Sequence, residues 1–264
     1  MNNYPAHMSD TLYDDLWFPQ ETIKVRNKVR AFVDEVIRPV AHQLNNTTED
    51  VKNFPFDISK KMVEAGLLAL PFGKEFGGAG LEYPTLATMV MLEEMAYVSN
   101  GFAASVIDVQ LILFGNSLKH AKKSVRDTLF PQLLSGEIIG SFATSEPAAS
   151  TDLSVSALQT QAIKVKGGYQ LTGQKRWITN APVADYMFVL CKLDNSMTML
   201  LVDMKSSGVR VGEPDKKMGN HCQLTADVYF NDVLAVSDAS DHTIGSPLIK
   251  GAIVEAKILE QIRD

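Results

Sequence analysis

Two short stretches concentrate the side chains able to do chemistry. The first is SFATSEPAASTDL, Ser141 to Leu153, and the second is TGQKRWITNAP, Thr172 to Pro182. Both carry hydroxyls and small residues, and the second carries Trp177. Neither has the spacing of a metal site, a phosphate-binding loop or a nucleophile elbow. Hydroxyls donate and accept hydrogen bonds, and an indole offers a flat stacking face. Such groups together suit a planar ring rich in heteroatoms. Thr144 and Ser145 precede Glu146–Pro147, and the proline holds Glu146 extended. Ala148, Ala149 and Ser150 are small enough to let a ligand or another segment come close. Thr151–Asp152 suits a turn or an Asx-type cap. Taken singly, each stretch also reads as ordinary structure: a helix-to-sheet linker rich in turn formers, and a strand end with one core tryptophan. That bland reading does not explain why the two occur together.

The remaining candidates point elsewhere or nowhere. GKEFGGAG, Gly73 to Gly80, follows no strand and lacks the lysine-hydroxyl ending of a phosphate loop, so it reads as a turn between helices. The five histidines, His7, His42, His120, His221 and His242, are scattered without metal-ligand spacing, so no metal is expected. Glu93–Glu94 lies on a helix, where one member should face solvent and the other pair within the bundle. Cys191 and Cys222 are far apart and read as reduced, buried thiols. A net charge of −6 argues against a nucleic-acid surface. The start, MNNYPAHMSDTLYDDLW, has no basic segment followed by an apolar run. No uninterrupted apolar stretch approaches a membrane span. The composition, 45% hydrophobic and 21% charged, is that of a globular protein, and a cytoplasmic, soluble one is the expectation.

The elements that position the two stretches change period near Gly136. Before it, Val29, Phe32, Val33, Val36, Ile37, Val40 and Leu44 recur at helical spacing, with a kink expected at Pro39. Further helices are expected over Ile58–Leu68, Thr85–Val98, Phe102–Phe114 and Lys122–Leu134. After Gly140 the chain reads as short strands: a hairpin around Gly167–Gly168, then DYMFVLCKL, MTMLLVDM, GVRVG and ADVYF. The segment from Pro247 to Asp264 reads helical again. The fold class is therefore α+β and multidomain. Residues 1–138 form a helical bundle, 139–240 an antiparallel β-sandwich or barrel, and 241–264 the start of a C-terminal helical domain.

With these elements in place, the chain resembles the acyl-CoA dehydrogenases over about Glu21 to Asp232. The resemblance rests on AGLLALPFGKEFGGAGL, LFPQLLSGE, ATSEPAASTDL, LTGQKRWITNA and KMGNHCQLTADVYFNDV. It implies FAD as cofactor, an acyl-CoA thioester as substrate, α,β-dehydrogenation, a flavoprotein electron acceptor and assembly into oligomers. By the same resemblance Ser145 bonds the flavin pyrimidine edge, Phe142 stands beside the ring, and the backbone of Ala143 and Thr144 faces it. Trp177 lies against the isoalloxazine, Thr179 bonds near N5, and Thr151 contacts the pantetheine arm. The family usually takes its base from a Glu on a C-terminal bundle, which is expected to be largely absent here. Glu255 and Glu260 are the candidates on the terminal helix, and neither aligns with that position. Three further departures are Ser150 in place of a usual Gly, the segment GNHCQLT, and the exit NDVLAVSDASDHTIG. Three readings stay open: a shortened dehydrogenase incomplete as a lone chain, one subunit of a split enzyme, and a non-catalytic relative that binds flavin, acyl-CoA or a protein. Flavin hydroxylases of the same fold are an alternative chemistry that the SEP and WITN pair weighs against.

Overall fold

The computed structural model describes residues 17–149, 152–165, 168–236, 243–245 and 248–250. Helix α1, Gln20–Phe32, runs on through a π turn at Val33–Ile37 and a 3-10 turn at Arg38–Val40 into α2, Ala41–Asn45. Pro39 explains the irregularity, because its nitrogen has no hydrogen for the helical ladder. Helix α3, Phe56–Glu64, closes at Gly66, whose φ of 67° suits glycine. The long helix α4, Pro84–Ala103, continues as a π-type segment, Ala104–Gly115, and ends with Asn116–Lys119. The two helices expected there are one run, interrupted by non-helical backbone at Ser99 (φ −147°, ψ 92°). The run of 36 residues is long and apolar enough, by length and composition, to cross a membrane, but 72% of its most apolar window is buried within the molecule, as in a core helix. Helix α5, Lys123–Leu134, completes this half.

Arg30 grips Glu94 with two hydrogen bonds, of 3.0 and 2.7 Å, between α1 and α4. Glu94 is buried and Glu93 exposed, the division expected for that pair.

The second half is a sheet of seven strands: β1 Gly140–Ala143, β2 Gln161–Val165, β3 Gly168–Thr179, β4 Tyr186–Leu193, β5 Ser196–Asp203, β6 Val209–Val211 and β7 Thr225–Val236. The expectation of an antiparallel sheet is corrected here. β4 pairs parallel with β1 along Tyr186–Val189 and parallel with β2 at Lys192–Leu193, so the sheet is mixed. The reason is connectivity: β4 follows β1 and β2 only after long excursions, which permit parallel pairing. A short hairpin, β8 Thr243–Gly245 with β9 Leu248–Lys250, follows. Its second strand occupies the start of the helix expected from Pro247; the rest of that expected helix lies outside the described residues.

Strand β4 is buried on both faces because it separates two cores. Phe188 and, from β5, Leu201 join the helical core. Met187, Val189 and Cys191 join the core inside the curled sheet. The Phe114 ring of the long helix meets Phe188 at 5.1 Å. A Cβ at Gly140 would collide with Phe114, so only glycine lets β1 lie this close to the helix.

Candidate functional site

Sheet topology brings the two stretches together. β1 and β2 share one edge of β4, one after the other. β3 pairs with β2 only from Gly168 to Thr172, so its second half runs on beside the chain that leaves β1. Two bonds fix this contact. Ser141 Oγ donates to the Thr179 carbonyl at 2.7 Å, and Arg176 N donates to the Ser145 carbonyl at 2.9 Å. The segment Ser141–Ser145 therefore runs antiparallel to Arg176–Thr179.

A buried ion pair clamps the same junction. Lys175 Nζ donates to Glu146 Oε1 at 2.8 Å and to the Thr144 carbonyl at 2.9 Å. The Lys175 side chain is 0% exposed. Glu146 also accepts from Gln159 N at 2.6 Å and Thr160 N at 3.0 Å. Burial pushes the Glu146 carboxyl up, but Lys175 and these amides outweigh it and hold the carboxyl below its ordinary range. At Lys175 burial prevails over the one carboxylate partner and lowers the ammonium. Burial pushes the nearby Cys191 thiol up to about 12, and both cysteines are free and buried as expected.

Past Lys175 the strand bulges. The register with β7 shifts between Lys175 and Ile178, and Trp177 takes a φ of 59°. A bulge re-aims a side chain, and a bulky residue in the left-handed region carries backbone strain of about 1–3 kcal/mol. The indole gains no burial from this: it is 58% exposed, with the Arg176 guanidinium 5.1 Å from its ring. Strain at an exposed aromatic marks a surface held for something else to cover.

On the two facing segments the hydroxyls are open. Thr144, Ser145 and Thr179 are half-buried. No hydroxyl of Thr144 or Ser145 has a hydrogen-bond partner among the described residues. Thr179 Oγ1 accepts from Gln223 Nε2 at 3.3 Å, and its own proton has no acceptor among them. A flat stacking face beside donors with unclaimed protons fits a planar ring carrying carbonyls and ring nitrogens.

Of the residues singled out from the sequence, the fold assembles Thr144, Ser145, Trp177 and Thr179. Phe142 packs against the helical core and Ala143 is buried in the sheet core, so their backbones, not their side chains, border the junction. Ser150, Thr151, Glu255 and Glu260 lie outside the described residues. Asp152 does form the expected Asx turn, accepting from Ser154 N at 2.9 Å. Sequence reasoning missed Lys175, Glu146 and Gln223. Lys175 was the findable one: Tyr169, Leu171 and Lys175 share the inward parity of β3, and a charge on that face demands a partner.

The model of the acyl-CoA dehydrogenase N-terminal domain matches residues 19–137, and that of the middle domain residues 141–233. A 3-(aryl)acrylate reductase of Clostridium sporogenes is 31% identical over 224 residues, covering 83% of this chain and 57% of the relative. The mitochondrial short-chain specific acyl-CoA dehydrogenase of Sus scrofa is 31% identical over 230 residues, 84% of this chain and 53% of its own. A glutaryl-CoA dehydrogenase of Mycobacterium smegmatis, solved in complex with FADH2, superposes with a TM-score of 0.74 at 23% identity, over 86% of this chain and 56% of that one. The chain thus spans about half the length of the relatives it matches. With both domain models matched in order across most of its length, and the two motifs meeting at one strand junction, the chain belongs to the acyl-CoA dehydrogenase family.

Proposed function

We propose that the junction of Thr144–Ser145 with Trp177–Thr179 holds the isoalloxazine ring of FAD, and that the chain serves α,β-dehydrogenation of an acyl-CoA thioester. The observation that carries this reading is the strained, exposed Trp177 beside three hydroxyls with unclaimed protons. The smegmatis relative holds FADH2, which supports the choice of ring. FAD, when bound, supplies the hydride acceptor. Trp177 covers the ring, and Ser145 donates to the pyrimidine edge, where charge gathers on reduction. Thr179 donates on the N5 side, the backbone of Ala143 and Thr144 faces the ring, and Phe142 stands beside it. Thr151 meets the pantetheine arm. Proton removal from the α-carbon requires a base, for which Glu255 and Glu260 are this chain's candidates. A flavoprotein electron acceptor, an oligomeric assembly, a cytoplasmic location and a division near residue 138 into helical and β domains belong to the same reading.

The test is optical. Purified chain mixed with FAD and desalted should retain visible flavin absorbance. Protein that emerges colourless overturns the flavin reading. Anaerobic mixing of the flavin-loaded chain with a panel of acyl-CoAs then tests the chemistry: flavin that stays unbleached is expected of a chain incomplete by itself, and bleaching by one chain length would place a working base within it.

A further inference from the structure

We infer that Gln223 is a positioning residue for the Thr179 hydroxyl, holding it as a donor aimed at the ring; this rests on the reading under Proposed function. A threonine hydroxyl has one proton and two acceptor lone pairs. Gln223 Nε2 donates into that oxygen at 3.3 Å. The oxygen's acceptor side is thereby engaged and its proton turned away from Gln223. No described residue accepts that proton. The arrangement leaves Thr179 one proton to donate and one further lone pair, with the Gln223 side deciding where the proton turns.

Gln223 is itself held by the helical half. Its carbonyl accepts from Lys217 Nζ at 2.5 Å, and its amide donates to the Asn220 carbonyl at 3.2 Å. Lys217 Nζ lies 3.6 Å from Glu49 Oε1, and His221 Nδ1 lies 2.8 Å from the same oxygen. Asn100 Nδ2 donates to Asn220 Oδ1 at 2.6 Å. The loop turns through left-handed backbone at Asn220 and Cys222, and it lies so close to the long helix that a Cβ on Gly101 would strike the His221 carbonyl. These bonds fix the backbone from which the Gln223 side chain reaches Thr179, and a hydroxyl already turned toward the ring needs less rearrangement when the ring arrives.

The full chain is titrated with FAD as wild type, Thr179→Val, Gln223→Leu, Gln223→Glu and the two doubles with Thr179→Val. Thr179→Val should weaken uptake about tenfold, one charge-free hydrogen bond's worth. Gln223→Glu keeps size but only accepts, so it captures the Thr179 proton and should weaken uptake to a similar extent. Its visible flavin band should shift in the same sense as that of Thr179→Val. Gln223→Leu frees the hydroxyl to rotate and should cost about threefold. In the Thr179→Val background both Gln223 changes should have no effect. Wild-type uptake by Gln223→Glu, or an undiminished Gln223 effect in the doubles, overturns the inference. If wild type takes up no FAD, the proposed function fails. The inference is then read in the free chain from the Gln223 side-chain amide protons by NMR: a shift in Thr179→Val supports it, and unmoved signals overturn it.

Discussion

At residue scale, the junction combines one strained residue with one expensive pair. Trp177 sits at φ 59° while mostly exposed, so its side chain gives little stability in return. Glycine relieves that backbone and alanine does not. Trp177→Gly should therefore be more stable than Trp177→Ala by about 1 kcal/mol in urea unfolding, while both lose FAD uptake. Lys175 and Glu146 illustrate the opposite case, where stability depends on both partners. Lys175→Met strands a buried carboxylate and should cost about 3–5 kcal/mol, with Lys175→Met/Glu146→Gln costing less than the two single changes summed. The pH dependence follows from the direction of the Glu146 shift. A carboxyl lowered in the folded state binds fewer protons than in the unfolded chain. Its contribution is present above the ordinary value of 4.5 and is lost as pH falls from there through the lower folded value. Unfolding midpoints across that acid range should fall for wild type and flatten in Glu146→Gln.

At the scale of elements, two irregularities decide where the site lies. The bulge between Lys175 and Ile178 turns the indole out, and the break at Ser99 lets the loop Lys217–Gln223 seat on the long helix. Cys222 Sγ lies 3.9 Å from Ser99 Oγ at that break. Gly101, one helical half-turn on, is the contact with no room for a side chain. Gly101→Ala should destabilise the chain by about 1–3 kcal/mol, the range for overpacking. It should also displace the loop, so FAD uptake in Gly101→Ala should drop as it does in the Gln223 variants, measured at a temperature where circular dichroism shows the protein folded.

At the scale of the molecule, the helical and β halves share a core through β4. Phe188 packs into the helical cluster while its neighbours Met187 and Val189 pack into the sheet. Phe188→Ala should cost about 3–5 kcal/mol. Helical circular dichroism and the fluorescence of Trp177, read in a Trp17→Phe background, should move together to one lower midpoint. Separated midpoints would show that the halves unfold independently and that the shared strand does not couple them.

Much of the protein was legible in the residues themselves. Helical spacing before Gly136 and alternating strands after it located most elements, because amphipathic period is a local property. Proline predicted the irregular helix at Arg38–Val40. The hydroxyls and indole of SFATSEP and RWITN suggested a planar ligand, because side-chain chemistry is written in residue type. Strand pairing was not legible. Which strand lies beside which depends on the closing of long connections, so the parallel pairings of β4 and the meeting of Ser145 with Arg176 emerge only in three dimensions. The same holds for Lys175 with Glu146, and for Gln223 with Thr179. Partners distant in the chain become one site only when tertiary packing fixes the distance between them.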